Sequence, residues 1–274
     1  MIPPFDLFLS ALVRTVFLLL ELFGGVFALA TALWFASQRL RGDGYGRFGR
    51  GYVLFVAPGV VCHETGHALG CLLTGRRIVE FVPFRPSGNE LGHVTHEGSG
   101  TFFGRTAEFV IGTGPVWFGT LVILLLARLL GGRELLSDLD FLAPLPGESV
   151  GVRCVCVAKG ALWMLRTLLS PERWGSVLFP VCFYLIFCIA SEITLSPPDL
   201  GAAWRGFVSL AAVLFLLNLV PAVSGWLLQA ADSLRPALFL VHVLLLFALV
   251  FDGLLLAAAG LFRRLSAKGG GRRR

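Results

Sequence analysis

The sequence predicts an all-α membrane bundle of about six transmembrane helices, with a small β-hairpin at the membrane surface and one further helix lying in the interface. Three observations carry that expectation. Of the 274 residues, 56% are hydrophobic and only 15% are charged, a balance far from that of an ordinary soluble domain. The mean hydropathy is +0.80. Six windows, roughly 7–36, 52–74, 107–130, 175–193, 206–229 and 237–262, reach the run of about 20 predominantly apolar residues that a bilayer crossing needs. Residues 1–264 therefore read as a single polytopic domain and 265–274 as a basic, disordered tail.

Taken in order, the first window follows Met1-Ile2-Pro3-Pro4 without a basic flank and is too long for a signal segment, so it reads as a retained span. Arg14 and Glu21 lie seven residues, two helical turns, apart in it, and a structural role is expected for both. A glycine- and arginine-rich stretch, 41–51, reads as a loop. The second window, 52–74, is followed by the longest polar insert, 76–105. Within it, 78–84 and 91–96 are short β-prone runs, and Pro86-Ser87-Gly88-Asn89 supplies turn residues between them. The third window holds Gly112-Thr113-Gly114-Pro115, small residues that permit close helix approach and a proline that disturbs the helix. Residues 151–170 are apolar but carry Arg153, Lys159 and Arg166 broadly on one side, the pattern of an interfacial helix.

The net charge of +6 does not point to nucleic acid, because the basic residues stand in short tracts beside apolar spans. Arg39, Arg41, Arg47 and Arg50 form one tract, and Arg263, Arg264, Lys268 and Arg272 to Arg274 form another. Both are expected on the cytoplasmic face. Six spans put them on opposite faces, whereas counting 151–170 as a seventh puts both inside. An integral, multi-pass protein of the cell membrane is the expectation, with the lipid bilayer as a partner and nucleic acid excluded. Cys62, Cys71, Cys182 and Cys188 fall in apolar windows, where cysteine acts as a small hydrophobe, and Cys154 with Cys156 lacks a second pair.

The chemistry concentrates at His63-Glu64-Thr65-Gly66-His67. On a helix, histidines four residues apart project from one face and can bind a single metal ion. Zinc suits two imidazoles plus one more protein ligand, with a fourth position kept for water. Glu64, beside the first histidine, is placed to act as general base on that water. The motif sits within an apolar window, where an ionisable side chain is costly and marks function. The third ligand is open among three acids. Glu192 ends an apolar run. Asp199, in Ser196-Pro197-Pro198-Asp199, also fits the third position of a helix that Ser196 caps. Asp252 lies deep in the last window within Phe251-Asp252-Gly253. Glu192 and Asp199 rank ahead of Asp252. His93 and His96 read as solvated hairpin residues. Asn218-Leu219-Val220-Pro221 places a polar residue and a helix breaker in an apolar window, where Asn218 either orients substrate backbone or satisfies carbonyls freed by the proline.

These elements resemble the site-2 protease family of intramembrane zinc metalloproteases, in a divergent form. The resemblance rests on the embedded H-E-x-x-H, the hairpin-like stretch after it, Gly114-Pro115 and Asn218-Leu219-Val220-Pro221, and covers roughly residues 50–225. It implies that His63 and His67 bind zinc, that Glu64 activates water, and that a strand holds transmembrane or membrane-proximal protein substrates by β-addition. The family's usual third ligand is an aspartate in a Leu-Asp-Gly motif soon after its Asn-x-x-Pro. Here 222–226 reads Ala-Val-Ser-Gly-Trp and lacks it. The expected function is zinc-dependent hydrolysis of peptide bonds in membrane-protein segments. The alternatives are a non-catalytic metal-binding, chaperone or transport protein, and a zinc peptidase of another membrane family using glutamate as third ligand.

Overall fold

The computed structural model describes residues 4–86, 91–98, 101–131, 134–145 and 148–270. Among them the chain is almost wholly helical, with one two-stranded sheet. Helix α1 (Pro4–Leu19) passes through a π-helical turn (Leu20–Gly24) into α2 (Gly25–Phe48), and α3 (Arg50–Leu73) follows after a single residue. Strands β1 (Ile78–Val82) and β2 (His93–His96) come next, then α4 (Phe102–Gly131), α5 (Glu134–Phe141), α6 (Val150–Leu168), α7 (Leu178–Glu192), α8 (Pro197–Asn218) and α9 (Pro221–Gly270). With α1 and α2 continuous, the described residues form eight separate helices rather than six.

Several boundaries differ from those expected, each for a local reason. The 41–51 stretch is not a loop, because α2 runs on to Phe48 and the Tyr52 ring packs where a side chain at Gly44 would stand. The break falls at Gly49, whose φ of +52° lies in the region that favours glycine. The 206–229 window is two helices: α8 ends at Asn218 and α9 restarts with Pro221 at its first position, where a missing N–H costs nothing. Asn218 is buried and its Nδ2 donates to Thr15 Oγ1 at 3.0 Å, tying α8 to α1. The helix α9 continues through Gly270, well into the expected tail, and residues 271–274 lie outside the described residues, as does most of the expected hairpin turn.

Among the described residues four helices are long and apolar enough to cross a membrane, over Phe5–Phe48, Gly104–Leu130, Pro197–Asn218 and Pro221–Phe262. Their outer faces are apolar. On α4, Leu121, Leu125 and Leu129, spaced four apart, are 50%, 50% and 68% exposed, a stripe that suits lipid rather than water. Helices α3 and α7 are not among the four: the polar motif interrupts the first and the second has 15 residues. Helix α3 packs between α4 and α7, with Leu54, Phe55, Leu72 and Leu73 left exposed on its outer side. The main core gathers Leu33, Ile123, Leu139, Met164, Ile186, Leu244 and Phe247 from α2, α4, α5, α6, α7 and α9. Helix α6 buries Gly160, Ala161 and Met164, with Gly160 set against Val243 of α9. Its Arg153 reaches Glu21 at 2.8 Å, and Arg235 of α9 meets the same carboxylate oxygen at 3.1 Å, so Glu21 ties three helices together.

Glycines set how closely α3 meets its neighbours. A side chain at Gly59 would run into the Cys188 carbonyl of α7, and one at Gly66 would stand 2.6 Å from Pro115 Cα of α4. These backbone-to-backbone seams hold the H-E-x-x-H turn against two helices at once.

Candidate metal centre

His63 and His67 stand one turn apart on α3, with both rings directed to one point. Their Nδ1 atoms are each occupied. His67 Nδ1 donates to the Ile111 carbonyl at 2.8 Å, and His63 Nδ1 donates to the Glu192 carbonyl at 2.8 Å. Since a carbonyl only accepts, each Nδ1 carries a proton, and the two Nε2 atoms are the ones turned inward toward Asp199.

The two acceptors are available for identifiable reasons. Ile111 is four residues before Pro115, and a proline has no N–H to offer that carbonyl. Glu192 is the last residue of α7, where carbonyls lack intrahelical donors and the helix dipole is negative. Thr194 N also uses the Glu192 carbonyl, at 2.8 Å.

Asp199 completes the group. Its Oδ1 lies 3.0 Å from His67 Nε2 and its Oδ2 3.6 Å from His63 Nε2, while the two Nε2 atoms are 3.2 Å apart. A tetrahedral zinc ion with bonds of about 2.0–2.1 Å would separate its ligands by about 3.3 Å. The three side chains thus fit one ion, and they are the only trio of candidate ligands so gathered among the described residues. Two facing Nε2 atoms beside a carboxylate form an arrangement that a shared cation would stabilise. The expected cap is present too. Ser196 is the N-cap of α8, Pro197 opens the helix, and Asp199 Oδ2 accepts from Ser196 N at 2.9 Å and from its hydroxyl at 2.5 Å. The cap uses Oδ2 and leaves Oδ1 turned toward His67.

The other candidates fall elsewhere. The Glu192 carboxylate does not join the group: Oε2 faces Arg41 Nη1 at 3.5 Å, and only the backbone carbonyl meets His63. Asp252 is fully buried on α9, with neither oxygen bonded to the group. Glu64 is 8% exposed and opens onto the same cavity as the histidines and Asp199. Gly92 covers it, since a side chain there would lie 2.7 Å from Glu64 Cγ.

That cavity measures about 910 Å³. Strand β2 lines it through His93, Val94 and His96, so the hairpin histidines, expected in solvent, face the metal group's chamber. His93 Nε2 is 3.3 Å from Glu80 Oε2 and His96 Nε2 3.9 Å from Glu108 Oε2. β2 pairs antiparallel with β1, Phe81 opposite Val94 and Val82 opposite His93, and among the described residues no other strand pairs with it. Arg41, which also lines the cavity, could not be foreseen while 41–51 was read as a loop. The Ile111 carbonyl could have been: a proline four residues downstream is visible in the sequence.

Comparison with protein-family models, with curated proteins and with solved structures gives no match. The resemblance to the site-2 proteases rests on the residues of this chain alone.

Proposed function

We propose that the protein is a multi-pass integral membrane protein acting as a zinc-dependent endopeptidase on transmembrane or membrane-proximal segments of other proteins. The observation that carries this reading is the convergence of His63 Nε2, His67 Nε2 and Asp199 Oδ1 on one point, with both Nδ1 atoms pinned and Glu64 in the same cavity. In this reading six helices cross the bilayer: α1 with α2, α4, α8 and α9, together with α3 and α7, which pack on each other. Such a protein belongs to the cell membrane.

His63, His67 and Asp199 would hold the zinc, which when bound would supply an acidified water and a Lewis acid for the scissile carbonyl. Glu64 accepts the proton of the attacking water and returns it to the leaving amine. Gly92 packs closely on the Glu64 side chain beside the chamber. The unpaired edge of β2 binds an extended substrate segment by main-chain hydrogen bonds, alongside the metal. The resemblance to site-2 proteases is consistent with these roles, with one change: the aspartate comes from before Asn218-Leu219-Val220-Pro221 rather than after it.

The test is zinc content of detergent-purified wild type, Glu64→Ala, His67→Ala and Asp199→Ala, paired with cleavage of a transmembrane peptide. The reading requires one zinc in wild type and in Glu64→Ala, its loss in the other two, and cleavage by wild type alone. Zinc retained without His67, or cleavage retained without Glu64, refutes it. Zinc bound as required with no cleavage by wild type favours the non-catalytic metal-binding alternative.

A further inference from the structure

Two arginines of the metal chamber are left over once its other charges are matched. Arg105, near the start of α4, and Arg205, in the middle of α8, both line the cavity of about 910 Å³ that holds His63, His67 and Asp199. The two helices meet there backbone to backbone. A side chain at Gly206 would stand 2.5 Å from the Arg105 carbonyl, so both arginines leave their helices at one point of the α4–α8 seam. Further along the same seam a side chain at Gly112 would stand 2.8 Å from the Asp199 carbonyl. Arg205 follows Asp199 by six residues, about 9 Å along the helix axis. Its guanidinium turns back toward the start of α8, with Nη1 3.9 Å from the place of a side chain at Gly201.

The other charged side chains of the chamber wall are accounted for. Arg41 faces Glu192 at 3.5 Å, His93 faces Glu80 at 3.3 Å and His96 faces Glu108 at 3.9 Å. Asp199 faces the two histidines, and Glu64 stands beside them on α3. Arg105 and Arg205 are exposed to the chamber, and among the described residues neither guanidinium has an ion-pair or hydrogen-bond partner. Helix α8 is one of the four long enough and apolar enough to cross a membrane. An arginine in the middle of such a helix is costly and marks function. A guanidinium presents a planar fork of donors that matches a carboxylate, and two of them on one wall attract an anion.

We infer that Arg105 and Arg205 together hold a carboxylate side chain of the substrate, so that the protein selects segments carrying an aspartate or glutamate close to the bond presented to the metal. An extended segment advances about 3.3 Å per residue, so a reach of about 9 Å puts that acid within about three residues of the bond. The inference rests on the proposed peptidase reading for the kind of molecule that enters the chamber, but the selectivity is measurable without hydrolysis.

The experiment uses the zinc-loaded full chain carrying Glu64→Ala, in phosphatidylcholine nanodiscs, so that peptides bind without being cut. Arg105→Gln, Arg205→Gln and Arg205→Lys are added to it in turn. The probes are fluorescent transmembrane peptides rich in alanine and leucine, in which one aspartate, or an asparagine in its place, is moved stepwise along the segment. At one or two neighbouring positions the aspartate peptide binds about tenfold tighter than the asparagine peptide. Either Gln substitution removes that ratio, and Arg205→Lys, which keeps the charge, retains part of it. Wild type then cuts the preferred peptide within three residues of its aspartate. Preferential binding without cleavage by wild type keeps the arginine site and removes the peptidase reading, whereas cleavage without preference does the reverse. Equal binding of the two peptides at every position overturns the inference, and so does a preference that survives both Gln substitutions. Equal binding together with arginine-dependent retention of phosphatidylglycerol in mixed nanodiscs also overturns it and assigns the pair to a lipid headgroup. If one Gln variant fails to fold, the other decides by the same ratio.

Discussion

Pro115→Ala is the substitution that most directly tests how the histidines are aimed. Proline at 115 leaves the Ile111 carbonyl without an intrahelical donor, and His67 Nδ1 fills the vacancy at 2.8 Å. Alanine restores an N–H aimed along the helix axis at that same carbonyl, so the imidazole must share or lose its acceptor. A net hydrogen bond contributes about 1 kcal/mol, and removing the outer partner of a metal-bound histidine weakens metal binding by about 10–100-fold. Sharing rather than loss places the expected effect near the lower end, about tenfold, or ~1.4 kcal/mol. The helix itself gains, because an interior proline costs up to ~3 kcal/mol relative to alanine. The two effects have opposite signs: the metal-free protein melts higher while its zinc affinity falls. Chelator competition gives the affinity and thermal unfolding in detergent gives the stability. A variant that is more stable yet binds zinc within twofold of wild type refutes the account of Ile111 as the orienting acceptor.

Further outcomes follow from the same geometry. Asp199→Asn keeps a capping side chain and loses most zinc, whereas Asp199→Ala loses zinc and about another 1 kcal/mol from the exposed start of α8, read as a lower melting temperature of the two metal-free proteins. Glu192→Gln retains zinc to within a few-fold, because the backbone carbonyl, not the carboxylate, meets His63; zinc loss in quantitative metal analysis would contradict this. Gly66→Ala places a methyl group 2.6 Å from Pro115 Cα and destabilises the α3–α4 seam by about 1–3 kcal/mol, seen as a lower Tm with or without metal. Chelation of zinc lowers the Tm of wild type by a margin that grows with the zinc concentration removed, amounting to about 2.7 kcal/mol when the free ion had stood at 100 times its Kd; a Tm indifferent to chelation counts against a bound ion.

The helical character and the facing of His63 and His67 were legible because each depends on short-range pattern. Apolar runs mark helices for a nonpolar surround, and a four-residue spacing puts His63 and His67 on one face whatever the rest of the fold does. Asp199 was legible as a helix cap, and that local role is what points its second oxygen inward. The choice between Asp199 and Glu192 was not, since both flank the same short connection, 193–196, and only the way α7 ends decides which atom of Glu192 turns toward α3. Gly49 hid the true boundary between α2 and α3. In a stretch with glycines at 42, 44, 46, 49 and 51 no local rule selects one as the break, and the Tyr52 ring packed on Gly44 is a tertiary contact. The hairpin histidines were misplaced for a like reason, because strand alternation says which side a residue faces but not what lies on that side.

The three side chains of the proposed metal group come from positions 63, 67 and 199, and their supports from 111 and 192. During synthesis the histidine pair emerges long before anything that can fix its rings, and 129 residues separate His63 from the carbonyl that orients it. A contact of that sequence separation forms late, after the intervening chain has been inserted and packed. A nascent chain carrying only α3 therefore presents two freely rotating imidazoles, a poor competitor for scarce metal. The three side chains of the group therefore come together only once segments far apart in the chain have packed against one another.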